Sequence, residues 1–246
     1  MSTIRCFKPG ERITAREVAQ TIDHSLLRPD ITVQELIEGC ELAKAYECIS
    51  VCVRPSDLPV ACRVLEDSGV LVTTVIAFPH GTATTESKLF EVEDAIAKGA
   101  VEVDVVMNVA RFLSGEYDYV ENELKLLCEA AHERNVHLKV IFENYYLTAE
   151  QIVKACEIAE RAGVDFVKTS TGYAPGGAKI EDLKTMRSSC SPKVNVKAAG
   201  GVRTLDAALA VLATGTIRIG TRSTETILEE ARKREKEGTL ILPSEI

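Results

Sequence analysis

VDFVKTSTGY, residues 164–173, is a short apolar run that closes on a lysine and then opens into hydroxyls and a glycine. Val164, Phe166 and Val167 favour a strand, and Thr169, Ser170, Thr171 and Gly172 favour the loop after it. The stretch reads as a buried strand over 164–170 with Lys168 near its C-terminal end. An ammonium in so apolar a place is disfavoured unless it is paired or gives up its proton. A lysine without its proton attacks carbonyls and forms Schiff bases. A lysine that keeps it snorkels to the rim and pairs with a carboxylate. The segment alone leaves both readings open.

Outward from this strand, the chain alternates. Further strands are predicted at 21–24, 49–53, 70–78, 101–107, 137–143, 194–198 and 216–219. Between and around them, helical periodicity covers 14–21, 30–45, 58–68, 85–99, 117–135, 148–162, 180–188, 204–214 and 223–236. Eight strands alternating with helices, with no linker or low-complexity stretch, predict an α/β fold, a TIM (β/α)8 barrel. Residues 1–246 are expected to form one domain with a short N-terminal helical extension. The competing doubly wound open sheet would bring a GxGxxG turn after its first strand, and none is present.

Composition narrows the function classes. The 246 residues are 46% hydrophobic and 27% charged, which suffices for one large core. A net charge of -8 and the lack of a basic stripe interleaved with aromatics argue against nucleic acid as a partner. No apolar run approaches a membrane span, and MSTIRCFKPGERIT contains no apolar leader, so a cytoplasmic protein without membrane contact is expected. Eight cysteines occur without a CxxC pair and mostly among core-type neighbours, and they are expected reduced and buried.

In a barrel, chemistry gathers where strands end. Lys139 in HLKVIFE, Lys168 and Lys197 in VNVKA fall on three consecutive strands, and VEVDVVM places Glu102 and Asp104 on one face of the strand before them. A lone inward Lys–Asp pair is commonly structural. Three lysines facing acids in one mouth point instead to an amine whose proton affinity is lowered by its neighbours, with a carboxylate to shuttle protons. That fits an aldolase, a dehydratase or a decarboxylase working through a Schiff base. Glycine-bearing loops at 170–177, 200–201 and 220–221 follow the last strands, where barrels often hold a phosphate. His24 and His80 are possible bases, and no ligand spacing suggests a metal or other cofactor.

These motifs together resemble one known family. IDHSLLRPD (22–30), SVCVRP (50–55), VIAFPHGTATTESK (75–88), EVDVVMN (102–108), LKVIFE (138–143), VKTSTGY (167–173), VKAAGGVR (196–203) and RIGT (218–221) resemble the deoxyribose-phosphate aldolases, in the family's order, from about Ile22 to Thr221. The resemblance implies a metal-independent, cofactor-free class I aldolase that splits 2-deoxy-D-ribose 5-phosphate into D-glyceraldehyde 3-phosphate and acetaldehyde. It implies Lys168 as the Schiff-base lysine, Lys197 beside it, Asp104 as general acid/base and Lys139 as its support. Thr171, Gly172, Gly200, Gly201, Gly220 and Ser223 are implied as the substrate and phosphate site. A homodimer or homotetramer is expected. Related Schiff-base aldolases on another phosphorylated sugar, or a non-catalytic sugar-phosphate binder, are the alternatives. Arg222 stands where the family often has the first of two serines, Ala199 replaces a common serine and Asn144 a usual threonine, and the C-terminal TLILPSEI lacks a tyrosine that some members carry.

Overall fold

The alternation closes on itself. A computed structural model describes residues 5–245. Its strands β1 (Ile22–Leu26), β2 (Ser50–Val53), β3 (Leu71–Ile76), β4 (Glu102–Val106), β5 (His137–Ile141), β6 (Phe166–Lys168), β7 (Asn195–Ala199) and β8 (Arg218–Thr221) pair in parallel, in sequence order, into a closed barrel. The helices are α1 (Ala15–Ala19), α2 (Val33–Ala45), α3 (Leu58–Val64), α4 (Thr85–Ala97), α5 (Val109–Leu113), α6 (Tyr117–His132), α7 (Ala149–Ala162), α8 (Ile180–Ser189), α9 (Leu205–Ala213) and α10 (Thr224–Glu237). Local chemistry sets many of their ends. Thr14 with Glu17, Thr32 with Glu35 and Thr148 with Gln151 form capping boxes at α1, α2 and α7. α7 stops at Gly163, whose φ of 87° is left-handed and cheap only for glycine.

Several elements are shorter than their sequence signals. β6 ends at Lys168 because Thr169 takes over bonding with the next strand through its side chain: Oγ1 donates to the Ala199 carbonyl (3.1 Å) and accepts from the Ala199 amide (3.0 Å). β3 ends at Ile76 because Ala77 turns the chain at φ 51° and gives its amide to Glu91. α3 ends at Val64, four residues before the expected stop. β8 begins two residues later than its signal and runs on to Thr221. The short helix α5 had no separate expectation.

The barrel separates two environments. Outward strand residues such as Val51, Val103, Val140, Val167, Val196 and Ile219 are buried against the helices and form the main apolar core. Inward positions are different. Barrel interiors are normally filled with branched apolar side chains. Here Asp23, Ser50, Thr73, Glu102, Asp104, Lys139, Lys168, Lys197 and Arg218 are all buried. The period-two pattern of each strand directs these polar residues to one side and valines to the other.

A second buried pair braces the wall outside this interior. Lys88 on α4 is fully buried; its Nζ donates to Glu123 Oε1 of α6 (2.6 Å) and to the Val106 carbonyl (2.9 Å) at the end of β4. Removing one partner of such a pair leaves an uncompensated buried charge. Lys88→Met is therefore expected to lower unfolding free energy by about 3–5 kcal/mol, read from urea denaturation; a change under about 1 kcal/mol would show that Glu123 is readily neutralised or hydrated.

Below the barrel, the N-terminal segment and the C-terminal tail are tied together. Arg12 and Ile241 form an antiparallel bridge, the Ile13 amide donates to the Leu240 carbonyl (3.2 Å) and the Leu242 amide to the Glu11 carbonyl (2.9 Å). Cys6 is exposed and Cys62 partly so; the other six cysteines are buried, and all eight are free thiols. Among the described residues, no helix is long and apolar enough to cross a membrane.

Candidate active site

The register of the sheet brings the sequence's acids and lysines together. Asp104 of β4 pairs with Lys139 of β5, and Lys168 of β6 pairs with Lys197 of β7. Asp104 is the hub. Its Oδ1 accepts from Lys139 Nζ (2.9 Å), and its Oδ2 accepts from both Lys168 Nζ and Lys197 Nζ at 2.7 Å. Lys139 also donates to Glu102 Oε2 (2.5 Å), while Lys197 pairs with Asp23 Oδ2. Arg218 joins Asp23 (Nε to Oδ1, 2.7 Å) to Glu102 (Nη2 to Oε2, 2.7 Å).

Burial and charge then divide the lysines. Burial pushes the Lys168 ammonium below its ordinary pKa, and the Lys197 charge adds to that; the Asp104 carboxylate only partly opposes them. Burial acts on Lys197 too, but Asp104 and Asp23 together outweigh it and hold Lys197 above the usual lysine range. Burial works against the Asp104 charge, but Lys139, Lys168 and Lys197 overcome it and keep the carboxyl well below its ordinary range. The result is one amine that sheds its proton readily beside a firm ammonium and a firm carboxylate.

Above Lys168 lies a cleft of about 300 Å³ at the C-terminal ends of the strands. Lys168, Lys197, Thr171, Gly172, Gly200, Gly201 and Gly220 all line it. Gly200, at φ 83°, faces Gly177 so closely that a Cβ would stand 3.0 Å from its Cα. At Gly220 a Cβ would come 3.2 Å from the Ala199 Cβ and 3.6 Å from the Lys197 Cε, so glycine leaves Lys197 its room. Thr171 is fixed by Glu143, which accepts from both its amide (3.1 Å) and its hydroxyl; Glu143 itself turns in the left-handed region at φ 55°. Ser223 precedes α10 at the N-cap position and is not among the cleft-lining residues, whereas Arg222 is.

Other candidates sit elsewhere. His24 points away from the cluster, bonded through Nδ1 to Thr224 Oγ1 (2.8 Å), and burial pushes its imidazole down to about 4, so it is neutral. His80 is exposed and lines neither the cleft nor the ion cluster. Sequence reading missed Arg218, although TIRIGT alternates and places Arg218 on the face of Gly220. It also missed Tyr173, whose hydroxyl donates to the Leu27 carbonyl (2.8 Å) at the cleft wall, and Arg28 and Arg203 on its rim. Arg28 is held in a fork by Asp30, at 2.8 and 2.9 Å. Arg203 and Arg222 make no hydrogen bond or ion pair among the described residues, so two unpaired guanidiniums face the cleft.

The sequence pattern of the DeoC/LacD family of aldolases matches residues 17–221. The chain belongs to that family. A deoxyribose-phosphate aldolase of Thermoanaerobacter sp. (strain X514) is 46% identical over 217 residues, covering 88% of this chain and 97% of that one. Among solved structures, a putative deoxyribose-phosphate aldolase from Coccidioides immitis superposes with a TM-score of 0.87 at 34% identity, over 94% of this chain and 92% of that one. The deoxyribose phosphate aldolase of Aeropyrum pernix, described as a unique tetrameric structure, gives 0.83 at 30% identity, over 89% and 93%. In this DeoC/LacD aldolase the described part of the C-terminal tail lies under the barrel, and among the described residues none beyond Arg222 lines the cleft.

Proposed function

We propose that the chain acts as a class I deoxyribose-phosphate aldolase with Lys168 as its Schiff-base lysine. The observation that carries this reading is the Asp104 carboxylate, bonded at 2.7 Å to both Lys168 and Lys197 beneath the cleft. The Lys168 amine attacks the C1 carbonyl of open-chain 2-deoxy-D-ribose 5-phosphate and gives a carbinolamine. Loss of water, with the proton routed by Asp104 and the adjoining ammonium of Lys197, leaves the protonated Schiff base. The C3 hydroxyl then loses its proton and the C2–C3 bond breaks. Its electron pair forms the enamine on Lys168 and D-glyceraldehyde 3-phosphate departs. Protonation of the enamine at C2 and hydrolysis release acetaldehyde and restore the amine. Lys139 holds Asp104 from the side away from substrate. Condensation runs the same steps backwards.

The phosphate end falls to the glycine loops, Thr171 and the start of α10 near Ser223, where amides and helix dipole favour an anion. Arg222 adds a cation to that loop. A coupled assay for D-glyceraldehyde 3-phosphate tests the activity directly, with unphosphorylated 2-deoxy-D-ribose as comparison. Arg222→Ser is expected to lower the preference for the phosphorylated sugar, as a ratio of kcat/KM, by about tenfold, the effect of one lost charge-assisted contact. An unchanged ratio would place Arg222 outside the phosphate site. Residues 1–246 act as one unit with α1 as its short N-terminal extension, the working location is the cytoplasm, and a homodimer or homotetramer is the assembly. The tetrameric relative from Aeropyrum pernix supports the last point.

A further inference from the structure

We infer that Arg218 is a positioning residue that closes a neutral ring of charges beneath the cleft and thereby leaves Lys168 as the surplus cation. The ring can be walked contact by contact. Arg218 bonds Asp23, Asp23 pairs with Lys197, Lys197 bonds Asp104, Asp104 bonds Lys139, Lys139 bonds Glu102, and Glu102 returns to Arg218. Three cations alternate with three carboxylates. Lys168 hangs on Asp104 outside the ring and has no carboxylate of its own.

Every member of the ring is buried, so its interactions are weakly screened and an unbalanced charge is costly. With all seven groups ionised the cluster carries one positive charge too many. Arginine cannot relieve this by losing a proton. Lys197 touches two carboxylates, as does Lys139, whereas Lys168 touches one that is already shared. The proton that leaves at least cost is therefore the one on Lys168, which lines the mouth and is the one lysine of the three with a single carboxylate contact.

Among the described residues, no charged side chain other than Lys168 bonds or ion-pairs with a member of the ring. Arg218 faces Asp23 from β1, Ser50 from β2, Glu102 from β4, the Phe166 ring from β6 at 5.7 Å, and Lys197 from β7. Arg5, Arg16 and Glu17 line a second hollow together with Arg218. Lys168 faces Asp104 from β4, Lys197 from β7 and the Cys52 thiol from β2. His137 approaches Glu102 and Lys139 from the start of β5 but is held by Asp165. Arg218 thus acts on the amine without reaching substrate.

This inference rests on the Schiff-base role of Lys168, and its test separates the two. The full-length protein is incubated with acetaldehyde and cyanoborohydride across a pH series, and the two-carbon adduct on Lys168 is quantified by mass spectrometry. Arg218→Met leaves three carboxylates facing two ring cations, so Lys168 becomes the missing partner. The midpoint of adduct formation is expected to rise by about one pH unit. Glu102→Gln removes a carboxylate and is expected to lower the midpoint. The double variant restores the balance and is expected to return it close to wild type, and Arg218→Lys to leave it there. A merely structural role for Arg218 predicts no such opposite shifts and no rescue. An Arg218→Met midpoint equal to wild type, or a double variant that fails to return, overturns the inference. Should Arg218→Met not fold, an unmoved midpoint in Glu102→Gln does the same. If the wild-type protein gives no adduct on Lys168 at any pH, the Schiff-base reading fails and this inference falls with it.

Discussion

Lys168→Ala is expected to remove aldol cleavage and the acetaldehyde adduct together, with kcat/KM falling by about 10⁴-fold or more, the scale seen when a covalent nucleophile is deleted. No neighbour can replace it. Lys197 and Lys139 are each held by two carboxylates. Lys168→Arg is expected to fail equally, because a guanidinium remains charged and does not form the imine. The wild-type pH profile follows from the direction of the Lys168 shift. Its ammonium form is destabilised in the folded protein, so the amine forms at lower pH than on an ordinary lysine, and activity is expected to fall as acid returns the proton. Retention of more than about a tenth of wild-type turnover in Lys168→Ala, with the fold intact by circular dichroism, would exclude the covalent route.

Asp104→Asn is the second large loss, expected at about 10²–10⁴-fold in kcat. The amide has nearly the carboxylate's shape but cannot take up and return a proton at neutral pH. It also leaves four buried cations facing only Asp23 and Glu102, so a stability loss of about 3 kcal/mol is expected alongside. The two effects are separable. With less negative charge beside it, Lys168 loses its proton more easily, so adduct trapping by cyanoborohydride should extend to lower pH even as turnover falls. A variant whose trapping and turnover decline in parallel across the pH range would make Asp104 only a support for the lysine.

How much of this could be read from the chain depended on periodicity. VEVDVVM and HLKVIFE alternate cleanly, so the inward side chains Glu102, Asp104 and Lys139 were visible as one group before any coordinates. The lysines at 168 and 197 stood out because ammonium groups rarely end apolar runs. Arg218 escaped although it fell inside the strand expected at 216–219, because a four-residue TIRI signal is too short for its alternation to show which face turns inward. Asp23 was placed at a strand end but sits within β1, where it serves Lys197 and Arg218. Strand ends set by a side chain, as at Thr169, are invisible to propensity, because the deciding partner lies 30 residues away at Ala199. The rim was the least legible part. Tyr173, Arg28 and Arg203 come from loops, whose side chains follow no period.

The bridge between Arg12 and Ile241 has a practical side. It gathers the two ends of the described chain on the floor, on the side of the barrel opposite the cleft. A linker added at either end therefore points away from the cleft. Coupling to a solid support or to a second enzyme through those ends leaves the mouth open to solution, while coupling through Arg203 or Arg222 on the rim would block it.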